Sequence, residues 1–193
     1  MYELSNPDRT AIALTFDDGP NTEYTPRILA ILAHYDIRAT FVVVGQNTAD
    51  NPSVLARIYE AGHQIANHTW SHPDLRRLSS GGVRDELERT SDVVEWATGG
   101  CRTRWFRAPG GDFSPKAPDV CFQLGMSPLA WSVDPQDWRC PGQNYIASAV
   151  LSTVKPGAII LNHDGGGNRA QTLAALHDYI PRLLDAGYTF TTP

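Results

Sequence analysis

Seven short apolar, β-branched runs recur along the chain, at Ala11–Phe16, Ala39–Val44, Gln64–Asn67, Arg104–Arg107, Leu129–Val133, Ala158–Leu161 and Tyr188–Thr191. Segments with helical signals lie between most of them. Thr25-Pro26, Asn51-Pro52 and Ser114-Pro115 each place a capping residue ahead of a proline suited to the first helical position. Ala61-Gly62, Leu124-Gly125 and Ala186-Gly187 each place a glycine where a helix would stop, just before the next apolar run. This punctuation predicts helices over about 26–35, 52–61, 82–98, 115–124, 143–154 and 171–186. In the first of them Ile28, Leu29, Ile31, Leu32 and Tyr35 form an apolar stripe at helical spacing. Strands alternating with helices argue for a parallel α/β arrangement. The unbroken apolar character of Phe41-Val42-Val43-Val44 and Ala158-Ile159-Ile160-Leu161 suits strands covered on both faces. At 193 residues the chain is short for an eight-unit barrel, which takes about 250. The expectation is a distorted, incompletely closed (β/α)7 barrel of parallel strands in one domain, 1–193, with an open doubly wound sheet as runner-up.

In such folds chemistry collects where strands end. The first run ends in Asp17-Asp18-Gly19-Pro20, the third in His68-Thr69-Trp70-Ser71-His72 and the fourth in Arg107-Ala108-Pro109-Gly110-Gly111. The fifth ends in Asp134-Pro135-Gln136-Asp137-Trp138 and the sixth in Asn162-His163-Asp164. One such end is ordinary turn chemistry, but five on one rim are not. Strands alternate faces, so adjacent Asp17 and Asp18 serve one site only if the strand has ended between them. His68 and His72 stand four apart; if Thr69–His72 opens a helical turn, both imidazoles face one way. With Asp18 they make two histidines and a carboxylate, the make-up of a catalytic zinc-type site. Without a metal, His72 would cap a turn before Pro73 and His68 would be a hydrogen-bonded core residue.

His163 is suited to act as a general acid, because its free pKa lies near neutrality. Asp134 could orient it and raise its pKa, or merely form an Asp-Pro turn. Arg107 could keep Asp17 ionised and aimed, or form a structural salt bridge. Gly110 and Gly111 let backbone approach a ligand, and an amide there could serve as an oxyanion donor. Trp138 could pack a sugar or line a methyl-sized pocket. His34, His63 and His177 read as packing or surface residues.

The motifs, in order, are T-F-D-D-G-P from Thr15, H-T-x-S-H from His68, R-x-P-G-G from Arg107, D-x-x-D-W from Asp134 and L-N-H-D from Leu161. With them the chain resembles the polysaccharide deacetylases, family four of the carbohydrate esterases. The resemblance implies a distorted β/α barrel that uses one divalent metal to remove N- or O-acetyl groups from glycans, with chitin-type oligosaccharides, peptidoglycan and acetylated xylan all open; two imidazoles and a carboxylate suit zinc first, and also cobalt or nickel. It implies that Asp18, His68 and His72 hold the metal, Asp17 is the base and His163 the acid. It further implies that Arg107 orients Asp17, Asp134 tunes His163, and Trp138 and Leu161 line the acetyl pocket. Gly110 departs from the family, many of whose members have an aromatic residue there; the amide is kept and a wall is lost.

Other classes fit less well. An aspartyl-phosphate phosphatase needs D-x-D rather than adjacent aspartates, a serine esterase needs a G-x-S-x-G elbow that is absent, and a glycosidase leaves the histidine pair unexplained. A catalytically inactive carbohydrate-binding relative is the remaining alternative. Sixteen basic residues against 21 acidic, with no basic cluster, argue against nucleic acid and for a neutral or mildly polar substrate; the resemblance implies that this partner is an acetylated glycan. No run of about 18 apolar residues exists to span a membrane, and a monomer is expected. The start Met1-Tyr2-Glu3-Leu4-Ser5 has no signal-peptide pattern, while deacetylases of polymeric glycans act in a secreted or wall-associated setting. Of Cys101, Cys121 and Cys140, the first two are expected to pair, leaving Cys140 free.

Overall fold

The computed structural model of the chain describes residues 3–4, 10–112 and 115–193; Ser114, expected to cap a helix, lies outside them. Seven parallel strands form one curled sheet: β1 (Ala11–Asp17), β2 (Thr40–Val43), β3 (Gln64–Asn67), β4 (Trp105–Phe106), β5 (Ser127–Pro128), β6 (Ile159–His163) and β7 (Thr189–Thr191). They alternate with α1 (Tyr24–His34), α2 (Gly45–Asp50), α3 (Pro52–Glu60), α4 (Ser80–Thr98), α5 (Lys116–Gln123), α6 (Gln143–Thr153) and α7 (Ala170–Asp185). The hydrogen-bonded order is β5-β4-β3-β2-β1-β6, and β7 pairs with the first half of β1. This is the expected incompletely closed (β/α)7 barrel.

β1 is the centre of the sheet and is buried along its whole length. Its apolar residues Ile12, Leu14 and Phe16 point into the main core, where Phe16 stacks on Phe41 with ring centroids 5.2 Å apart. Burial on both faces explains why these strands read as continuous apolar runs. Register then sets the site: Asp17 lies beside Val42 of β2 and His163 of β6, and the Arg107 N–H donates to the Asn67 carbonyl at the end of β3.

Three local expectations change. The fifth strand is Ser127–Pro128, not Leu129–Val133. The chain leaves the edge of β4 there and crosses to β6, where Ser132 and Val133 donate to the Ile159 carbonyl and Val133 bridges Ile160. That crossing partly closes the barrel, and it puts Leu129 and Ala130 carbonyls beneath the site. Thr25 lies inside α1 rather than capping it, because its hydroxyl donates to Asp164. Cys101 and Cys121 do not pair: Cys101 packs against the main core, Cys121 is buried in a second apolar cluster with Leu87 and Phe106, and all three cysteines are free thiols. Among the described residues no helix is long and apolar enough to cross a membrane.

Candidate active site

The backbone resolves how two adjacent acids share one site. Asp17 ends β1, and Asp18 adopts a left-handed conformation with φ of 72°, which reverses the strand's alternation. Close packing holds the turn: a Cβ on Gly165 would lie 2.0 Å from the Asp18 carbonyl oxygen, and one on Gly166 would lie 2.5 Å from Asp18 Oδ2. Glycines are required there so that the β6–α7 loop can pass.

Thr69–His72 is not a helical turn. Thr69 and His72 are also left-handed, with φ of 70° and 54°, and the Thr69 hydroxyl accepts the His72 N–H at 3.1 Å. This loop nonetheless brings the rings to a centroid distance of 4.9 Å. His68 Nε2 and His72 Nε2 lie 3.4 and 3.5 Å from Asp18 Oδ1, and one ligand atom from each of the three residues falls within 4.8 Å of the others. His68 Nδ1 lies 2.8 Å from the Arg107 carbonyl; a carbonyl only accepts, so Nδ1 carries a proton and Nε2 is the atom facing Asp18. Asp18 Oδ1 is buried with no hydrogen-bond partner. An orphaned carboxylate oxygen beside two imidazole nitrogens fits a divalent cation, which would satisfy all three.

Protonation follows the same logic. Burial would raise the Asp18 pKa, but the adjacent His68, aided by the charges of His163 and His72, holds it below the carboxylate range. Burial opposes charge on His68 too, yet Asp17 and then Asp18 raise its pKa. His72 is pushed down by burial and by His68.

Asp17 is positioned separately. Arg107 is fully buried, and its Nη1 donates to Asp17 Oδ1 at 2.6 Å and to the Thr15 hydroxyl at 2.8 Å. Its remaining nitrogens reach the Leu129 and Ala130 carbonyls on the barrel-closing crossing. The expected Arg107–Asp17 pairing is therefore present, and Asp17 Oδ2 is left facing His68 Nε2 at 3.7 Å. Removing one member of such a buried pair costs about 3–5 kcal/mol.

Across the pocket, the partner of His163 is Asp137 and not Asp134. Asp137 Oδ1 lies 2.7 Å from His163 Nδ1, while its Oδ2 accepts the His163 N–H and the Thr172 hydroxyl. Gln136 is left-handed, and the exposed Asp134 uses Oδ1 to accept the Gln136 N–H, forming the turn that swings Asp137 inward. Burial lowers the His163 pKa, but the Asp137 hydrogen bond and charge outweigh it and bring it to about 9. Asp164 lies deeper. It is fully buried, with Oδ1 unpartnered and Oδ2 2.5 Å from the Thr25 hydroxyl, and burial pushes its pKa up to about 7.

Asp17, Asp18, His68, His72, Gly110, Asp134, Trp138, Leu161 and His163 all line one cavity of about 420 Å3. Arg107 alone of the expected residues lies below it, behind Asp17. Trp131 and Arg169 also line the cavity, and neither is anticipated from the motifs. Trp131 lies over Arg107, 5.4 Å from the guanidinium carbon, and against Gly111.

The barrel rim thus gathers a two-histidine carboxylate cluster with a flanking Asp and His in one cavity, and the chain as a whole is similar to known proteins. Residues 5–129 match the family model described as polysaccharide deacetylase. A chitooligosaccharide deacetylase of Sinorhizobium fredii is 39% identical over 188 residues, covering 92% of this chain and 87% of its own. A solved peptidoglycan N-acetylglucosamine deacetylase superposes with a TM-score of 0.94 at 32% identity, covering 99% of this chain and 89% of its own. A CE4 family pseudoenzyme from Bacillus anthracis gives a TM-score of 0.91 at 32% identity, covering 100% of this chain and 66% of its own. The chain belongs to the polysaccharide deacetylase family, CE4.

Proposed function

We propose that this protein is a metal-dependent hydrolase that removes acetyl groups from N-acetylglucosamine glycans, such as chitooligosaccharides or the glycan of peptidoglycan. The observation that carries the reading is the opposition, across one cavity, of an open Asp18–His68–His72 donor set and of His163, which buried Asp137 holds from behind. Asp18, His68 and His72 would hold a divalent cation, whose charge would polarise an acetyl carbonyl and lower the pKa of water.

Asp17 acts as base. Its Oδ1 is fixed by Arg107, so Oδ2 is free to take a proton from water attacking the acetyl carbon. Gly110 lies in the first turn of a short 3-10 element, where an N–H has no intrahelical acceptor. That amide can receive the developing oxyanion, and such donors contribute roughly 3–4 kcal/mol. His163, kept as imidazolium by Asp137, protonates the departing sugar nitrogen from Nε2. Leu161 and Trp138 line the same pocket and would pack the acetyl methyl and the sugar.

The similarity to a pseudoenzyme makes an inactive glycan-binding protein the competing reading. Complete Arg107–Asp17 and Asp137–His163 pairs speak against it, since binding alone requires neither a base nor an acid. Acetate release from chitooligosaccharides and from peptidoglycan should occur, vanish on chelation and return with added metal. Release that survives complete metal removal would overturn metal dependence; no release from either glycan under any metal would favour the binding protein.

A further inference from the structure

Arg169 lines the catalytic cavity, and the proposed reaction gives it no task. It is 3% exposed, yet among the described residues no carboxylate pairs with it. Its donors go to carbonyls instead: Nε to Gly165 at 2.7 Å, and Nη1 to Trp138 and Asn168, each at 3.3 Å. Taking a guanidinium out of water without a counter-charge opposes folding. Its place opposes folding further, because Arg169 stands at the start of α7, the helix end that disfavours a cation. What an arginine offers over a shorter neutral donor is reach and a rigid fork of five N–H groups.

That fork spans two segments that bear on the chemistry. On one side is the loop 165–168. Gly165 and Gly166 lie too close to Asp18 for either to carry a Cβ, and a Cβ on Gly167 would lie 3.3 Å from Arg169 Nη2. On the other side is the segment 137–142, which begins with Asp137, the partner of His163. The first turn of α7 grips this segment at two more points. The Thr172 hydroxyl donates to Asp137 at 2.8 Å, and Gln171 Oε1 accepts the Gly142 N–H at 2.6 Å. Those two ties reach only the 137–142 side, whereas Arg169 joins it to the loop over Asp18.

We propose that Arg169 is a positioning residue. Its guanidinium locks the loop 165–168 to the Trp138 carbonyl, and so sets the spacing between the Asp18 turn and the Asp137–His163 pair across the cavity. The proposal rests on the deacetylase reading for its reaction, and it adds a residue that lies outside all five motifs.

Arg169→Ala removes the fork and leaves a gap in the cavity wall with the shape of ethylguanidinium. Acetate release from an N-acetylglucosamine tetramer should lose about 10²-fold in kcat with KM held, the cost of a misplacement near 1 Å. Millimolar ethylguanidinium should restore most of that loss, whereas ethylammonium, with the same charge and no fork, should not. A wild-type kcat, or a loss that ethylguanidinium leaves in place, overturns the lock. If Arg169→Ala does not fold, Arg169→Lys replaces it: kcat should still fall with KM held, and a wild-type kcat overturns the lock. Should the wild type release no acetate, the deacetylase reading fails instead, and calorimetric titration of zinc still decides Arg169. Because the locked loop packs on Asp18, the variant should then bind zinc about tenfold more weakly and regain affinity with ethylguanidinium. Equal affinity, or a loss that ethylguanidinium does not restore, overturns the lock.

Discussion

His68 and His163 face each other across one cavity, and both point Nδ1 away from it. The difference is a single partner atom. His68 Nδ1 meets the Arg107 carbonyl, whereas His163 Nδ1 meets the Asp137 carboxylate. A carbonyl fixes a tautomer without supplying a full charge, so Nε2 can serve as a lone-pair donor to a cation. A buried carboxylate stabilises the imidazolium, so Nε2 keeps a proton to give away. The aspartates differ in the same sense. Asp137 has its oxygens filled by His163 and Thr172, while Asp18 keeps a buried oxygen without a partner. On the proposed reading, the closed Asp–His pair serves as the acid and the open one as the ligand site.

The sharpest way to break this division is to remove the group assigned to neither cluster. Asp17→Asn should lower kcat by about 10³-fold or more, near the upper range for a general base, measured as acetate release from a chitooligosaccharide. His163→Ala should cost about 10²-fold on N-acetyl substrates and visibly less on an O-acetyl ester, whose alkoxide leaves with less need of a proton. Equal losses on both would remove His163 from the acid role.

Asp137→Asn tests the closed pair by pH. The raised His163 pKa keeps the imidazolium present up to about 9, so activity that needs it falls as pH rises through that value. Without the carboxylate this alkaline limb should move down by about one unit or more. Asp134→Asn should leave it in place, since Asp134 binds only the Gln136 amide. A smaller effect concerns the buried Asp164. Its folded pKa of about 7 exceeds the ordinary 3.8, so the folded state favours the protonated form. Its contribution is present below the ordinary value and lost as pH rises toward 7 and beyond. Asp164→Asn should therefore raise Tm by a few degrees at pH 8 and by less at pH 5, in thermal scans beside the wild type.

How much of this the sequence could carry differs between the two clusters as well. The Asp18–His68–His72 set follows from residue types and spacing at strand ends, and Arg107–Asp17 from their shared rim. The route was hidden, because the left-handed turns at Asp18, Thr69 and His72 depend on packing such as that of Gly165 and Gly166. The partner of His163 was not legible: Asp134 and Asp137 stand three apart in one loop, and only the turn at Gln136 decides which enters. The fifth strand failed for a related reason, since Leu129–Val133 is apolar yet spends its backbone bridging the β4 and β6 edges. The cysteine pairing failed because neighbouring elements bury Cys101 and Cys121 in different clusters.

The central claim is that adjacent Asp17 and Asp18 have separate tasks, one moving a proton and the other holding a cation. Calorimetric titration of zinc into metal-stripped wild type, Asp17→Asn and Asp18→Asn tests it most directly. The account predicts one site with near wild-type affinity in Asp17→Asn and binding weakened by at least about tenfold in Asp18→Asn. Loss of zinc binding in Asp17→Asn, or its full retention in Asp18→Asn, would contradict it.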